Sequence, residues 1–171
     1  MIDYSHLHPM IVHFPIALVI VGFLSDAVGL VTRWKFFTSA GLFLIILGSL
    51  GTLAAYISGN LAGDGIEEFG ALGTALDTHE SAAVMAVWAM MILAVLRTLL
   101  AVTGRMKGWM KFGMVILLAV GVGTVARAGY YGGELVYRHA AGVDLTFGNA
   151  FTQNAASPAL EESHSTTEEN D

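Results

Sequence analysis

Histidine carries most of the chemical potential in this chain, and its placement is uneven. Six are present: His6, His8, His13, His79, His139 and His164. A neutral imidazole offers a lone pair to iron, copper, zinc or nickel, and two facing imidazoles fill both axial positions of a haem iron. His164 sits in a polar tail of Ser, Thr, Glu and Asn, and His6 is expected at the surface. His13 is the deepest of the remaining four in its apolar run, and His79 directly precedes another such run. The expected haem-binding set is therefore His13 and His79 as axial ligands, with Arg127 neutralising a propionate. For a non-haem Cu, Zn or Fe site the expected ligands are His8, His13, His79 and His139, with Asp64, Glu67, Glu80 or Glu134 as oxygen donors and Met10 or Met85 joining for copper.

Cysteine is absent. This excludes disulfides, covalently attached c-type haem, cysteine-ligated iron–sulfur clusters and thiolate zinc. No nucleophile constellation, phosphate-binding glycine loop or metalloprotease motif is present, so an electron carrier or binding protein is expected rather than an enzyme.

The elements that position these residues follow from composition. The chain is 55% hydrophobic and 13% charged, with a mean hydropathy of +0.66, whereas soluble domains carry about 25% charged residues. Four stretches are long and apolar enough to cross a bilayer, at about 10–31, 36–58, 82–103 and 110–131. Short links between them predict an all-α, integral membrane, antiparallel four-helix bundle with up-down-up-down topology over residues 1–153, followed by a disordered acidic tail over 154–171. The segment 59–81 is expected to form a loop with a short surface helix. Residues 1–9 lack Lys and Arg, so no cleavable signal is apparent and the first span is expected to be permanent.

Basic residues fix the expected orientation. Arg33 and Lys35 lie between spans one and two; Arg105, Lys107 and Lys111 lie between spans three and four. Both loops then face the cytoplasm, leaving the two termini periplasmic in an inner-membrane, multi-pass protein. Alternating passes gather His8, His13, His79 and His139 at the periplasmic end. No basic stripe with interleaved aromatics is present, so nucleic acid is excluded as a partner.

Within the spans, Asp26 and Arg97 lie at matching depths near the cytoplasmic side, which predicts an ion pair. Small residues line one face of span two (Gly41, Gly48, Thr52, Ala55, Gly59) and of span four (Gly113, Gly121, Thr124, Ala128, Gly132). Such faces permit close helix packing, or clearance for a flat macrocycle.

The segment His8-Pro9-Met10-Ile11-Val12-His13-Phe14-Pro15-Ile16-Ala17-Leu18 resembles the opening HPxxVHFPIAL of a bacterial membrane family, domain of unknown function 2231. Asp26 matches an acid later in that family's first span, and His79 a histidine before its third. Gly132-Gly133-Glu134-Leu135-Val136-Tyr137-Arg138-His139 is similar to its closing pattern, although the family continues HGxGV where this chain reads His139-Ala140-Ala141-Gly142-Val143. The resemblance covers roughly residues 6–143 and implies a four-helix membrane protein. Members fused to cytochrome c or Rieske-type domains imply a redox context.

Together these readings predict a b-type haem protein with a bis-His site near the periplasmic face, passing electrons between a quinol and a periplasmic cytochrome. The alternatives are copper, zinc or iron binding or transport through the histidine cluster, and a cofactor-free structural subunit of a larger membrane complex.

Overall fold

The computed structural model describes residues 4–63, 70–105 and 107–141. The expected tail over 154–171, the end of the domain at 153, and Asp64 and Glu67 lie outside the described residues. Four helices account for nearly all the rest: α1 (Tyr4–Thr32), α2 (Lys35–Gly63), α3 (Gly70–Val102) and α4 (Gly108–His139). All four are long and apolar enough to cross a membrane. In hydrocarbon a backbone must satisfy its own hydrogen bonds, and a helix does this within one segment.

The helices overrun the expected spans at the histidine end. Residues 70–81 are not a separate surface helix; they are the first turns of α3. At about 1.5 Å per residue, α3 and α4 each approach 50 Å, well beyond the roughly 30 Å of a bilayer core. At the other end the turns are tight. Arg33 takes φ 59° between α1 and α2, Gly104 takes φ 65° between α3 and α4, and Gly108, the first residue of α4, takes φ 40°.

Packing follows chain order. α1 lies along α2, α3 along α4, and the α2–α3 and α1–α4 contacts that close the ring are less extensive. The bundle is thus two helical hairpins laid side by side. The α1–α2 seam is built on glycine: a Cβ at Gly41, Gly48, Gly51 or Gly59 would meet Asp26, Val19, Pro15 or His8 of α1, at 2.6–2.9 Å. Each step up α1 is matched by a near-equal step down α2, which defines one continuous antiparallel register. On α4, Gly121 receives Leu93 and Met90, and Gly132 receives His79. At Gly41, Gly48, Gly59, Gly121 and Gly132 the small faces are therefore filled by neighbouring helices, whereas Gly113 of α4 meets nothing within 4 Å among the described residues. Small residues matter here because lipid is as apolar as a leucine side chain, so close packing supplies much of the helix association.

The outer surface is apolar: Phe43, Leu50, Trp88, Ile92, Val95, Phe112 and Val120 are all exposed. In water this would be an aggregation surface; in a membrane it is the lipid contact. The core is a narrow column including Val19, Ile45, Met90 and Leu118. Ser49 Oγ lies within it, 2.7 Å from its own Ile45 carbonyl and 3.0 Å from the Met90 carbonyl of α3.

The two hairpins repeat one plan. His8 and Asp26 stand eighteen residues apart on α1, and His79 and Arg97 stand eighteen apart on α3. Eighteen residues are five turns, so each pair shares one helix face about 27 Å apart. Gly48 and Gly59 of α2 likewise recur as Gly121 and Gly132 of α4, each receiving the first helix of its own hairpin.

Candidate functional site

Two pairs of polar side chains meet on the α1–α3 diagonal of the bundle, one at each end. At the basic end, Arg97 Nε donates to Asp26 Oδ2 at 2.9 Å and Nη2 donates to Asp26 Oδ1 at 3.0 Å. Nη2 also donates to the Thr38 carbonyl of α2 at 3.1 Å. Arg97 is 1% exposed and Asp26 6%. The expected ion pair is therefore present, with its charges bound at several points as burial demands. Lys111 and Met114 of α4 border the same small cavity.

At the other end the rings of His8 and His79 face each other, with centroids 6.4 Å apart and planes inclined at 71°. His8 Nδ1 lies 3.0 Å from Ser58 Oγ on α2. That hydroxyl also lies 2.9 Å from the Ala55 carbonyl; with its proton on that carbonyl, Nδ1 of His8 is the donor. His79 Nδ1 lies 3.1 Å from the Ala128 carbonyl of α4. A carbonyl only accepts, so here too Nδ1 donates. In their neutral forms both imidazoles keep the lone pair on Nε2. A metal-ligating histidine commonly has this arrangement, one nitrogen fixed by an outer partner and the other free to coordinate.

Glycine admits both rings. A Cβ at Gly59 would stand 2.9 Å from Cε1 of His8, and one at Gly132 would stand 3.1 Å from Cε1 of His79. Each imidazole is thus held between a hydrogen-bond acceptor and a bare patch of helix backbone belonging to its own hairpin.

Over residues 5–145 the chain matches the family described as predicted membrane protein, domain of unknown function 2231. The chain belongs to this family. No curated protein and no solved structure matches it.

In this member of domain of unknown function 2231, the two histidines of the opening motif diverge. His8 points inward to His79. His13 is exposed, its Nδ1 donating at 2.6 Å to the Pro9 carbonyl one turn back. The partner of His79 is therefore His8, where sequence reading expected His13. Helix phase is the reason: His13 stands thirteen residues before Asp26, which turns it roughly 140° away from the inward face. α1 runs unbroken through Pro9 and Pro15, and Pro15 is buried against Gly51.

The closing motif ends α4. Its first residue, Gly132, is the one that receives His79. Its last, His139, lines a separate surface groove with Ala71, Thr74, Ala75, Tyr131 and Glu134. Arg127 precedes Ala128, the residue whose carbonyl holds His79. Its guanidinium is exposed, 3.8 Å from Met85 Sδ and 5.5 Å from the centre of the Tyr131 ring. Among the described residues no three His, Asp or Glu side chains converge as metal ligands. Ser58 is the site residue that sequence reading missed. The signal for the histidine pair was the equal spacing of His8 to Asp26 and His79 to Arg97, which sets both pairs on matching faces.

Proposed function

We propose that this protein is a membrane-embedded b-type cytochrome module in which His8 and His79 are the two axial ligands of one haem iron. The observation that carries the reading is the pair itself: two imidazoles on diagonal helices, each with Nδ1 engaged within its own hairpin and, among the described residues, no hydrogen-bond partner at Nε2. A haem iron asks its protein for two ligands, because the macrocycle supplies the other four. The two rings stand with their centroids 6.4 Å apart, at the end of the bundle where the hairpins meet. The packed glycines at mid-depth favour the histidine end of the bundle over its centre for such a cofactor. Arg127, beside the backbone that holds His79, is suited to a propionate.

The basic residues Arg33, Lys35, Arg105, Lys107 and Lys111 cluster at the opposite end, so the positive-inside rule supports an inner-membrane protein with this site on the periplasmic side. The module would carry single electrons between a quinol in the bilayer and a periplasmic cytochrome. Exposed Asp77 and Glu80 beside His79 would favour a basic partner.

The test is the visible spectrum of the detergent-purified protein, oxidised and reduced, as isolated and after reconstitution with haemin. A Soret band with sharp reduced α and β bands, lost in His8→Ala and in His79→Ala, supports the reading. Spectra unaltered in both variants, or no haem uptake by folded protein, would sink it. Stoichiometric copper, zinc or iron without haem would then favour a metal-binding role, and neither would favour a structural subunit.

A further inference from the structure

The polar bonds between the two hairpins are distributed unevenly along the bundle. At the basic end Arg97 of α3 is tied to Asp26 of α1 and to the Thr38 carbonyl of α2. At mid-depth Ser49 of α2 reaches the Met90 carbonyl of α3. At the histidine end, every side-chain hydrogen bond among the described residues stays inside one hairpin. His8 is bound to Ser58 within α1–α2; His79 is bound to Ala128, and Arg127 to Met85, within α3–α4. His8 and His79 face each other with no hydrogen bond between them.

We infer that the hairpins separate at the histidine end while the Asp26–Arg97 end stays closed, and that the site takes up its ligand through this opening. Each hairpin moves as a body because glycine seams interlock its helices: Pro15, Val19 and Asp26 seat on Gly51, Gly48 and Gly41 in one, and Leu93 and His79 on Gly121 and Gly132 in the other. The joints between hairpins, α2–α3 and α1–α4, are the less extensive contacts, and since the chain itself joins α2 to α3 at the histidine end, the parting is on the α1–α4 side, where contact is least. Parting the histidine end breaks no side-chain hydrogen bond among these residues. Parting the basic end would leave two charges unpaired in a low-dielectric core. The ion pair is thus the pivot, about 27 Å from the opening end. A planar haem enters between His8 and His79 without either imidazole losing its Nδ1 partner. The identity of this ligand rests on the function proposed above; the opening does not.

The chain has no cysteine, so introduced pairs label uniquely. Met10→Cys with Ser81→Cys reports on the histidine end, and Val28→Cys with Leu99→Cys on the basic end. These exposed positions lie two residues beyond the histidines and beyond the ion pair respectively. Spin-label distances between α1 and α3 are measured by double electron–electron resonance on the full chain, before and after adding haemin. The expected result is a distribution at Met10–Ser81 broader than at Val28–Leu99 in the haem-free protein. Haemin narrows the first and leaves the second unchanged, and Asp26→Asn broadens the second. Equal, narrow distributions at both ends of the haem-free protein would overturn the opening. A narrow Val28–Leu99 distribution in Asp26→Asn would overturn the pivot. If haemin does not bind, the haem reading fails, while the haem-free widths still decide whether the end opens.

Discussion

Arg97 on α3 reaches diagonally across the bundle to hold both carboxylate oxygens of Asp26 on α1, at 2.9 and 3.0 Å. Neither helix packs directly against the other along its backbone, since the closest helix contacts run around the ring. Two side chains therefore bind the hairpins where the backbones do not meet. Removing one partner leaves a buried charge, which costs about 3–5 kcal/mol. Arg97→Met and Asp26→Asn are each expected to lower stability on that scale in detergent unfolding. The double variant Asp26→Leu/Arg97→Met should cost clearly less than the sum of its single substitutions. Additive losses would show that the pair is not coupled.

The imidazole seats are open to a test by single methyl groups. Gly59→Ala places a Cβ 2.9 Å from Cε1 of His8, and Gly132→Ala places one 3.1 Å from Cε1 of His79. Both are expected to weaken haem or metal binding while the helices persist, Gly59→Ala more strongly. Gly113 and Gly123 of α4 have nothing within 4 Å of a built Cβ. Alanine there should leave binding intact and gain a few tenths to about 1 kcal/mol of helix stability. Circular dichroism with a haemin titration separates these outcomes.

Ser58 Oγ stands 3.0 Å from Nδ1 of His8. Outer partners of this kind are worth roughly 10–100-fold in ligand affinity. Ser58→Ala should lose affinity in that range with the fold retained. His13→Ala, by contrast, should leave the spectrum and the affinity as they are, because His13 is exposed and bound only to its own helix. A haem lost in His13→Ala and kept in His8→Ala would reverse the assignment of the site.

α4 ends on a residue poorly suited to its backbone. Ala140 caps the helix at φ 51°, ψ 29°, and its N–H donates to the Val136 carbonyl while Ala141 N–H donates to Leu135. Glycine adopts this left-handed conformation without a Cβ penalty, and the family pattern HGxGV has glycine at this place. Ala140→Gly is expected to stabilise the chain by up to about 1 kcal/mol, the penalty being offset in part by the unfolded freedom of glycine. A shift in the thermal unfolding midpoint checks the sign.

Much of this architecture is legible in the sequence. Apolar runs in hydrocarbon must become helices, so the four spans could be counted. Four alternating passes return His8, His79 and His139 to one end, and depth along each helix follows from residue number. That was enough to predict the Asp26–Arg97 pair. It was not enough to choose between His8 and His13, five residues apart and both near the same end. The ends of α2 and α3 were also hidden. Gly59–Gly63 and Gly70–Ser81 carry glycine and acidic residues that resemble a loop, yet they extend the helices past the apolar spans.

The sequence by itself therefore determined the number of helices, their alternation and the end at which the histidines collect, because these depend only on apolar length and chain order. Tertiary packing decided which imidazoles meet. Seating Pro15, Val19 and Asp26 on the glycines of α2 fixes the rotation of α1 about its own axis, and that rotation turns His8 inward and leaves His13 outside. Distance along a helix can be counted from the chain, but rotation is set by the surface against which the helix comes to rest.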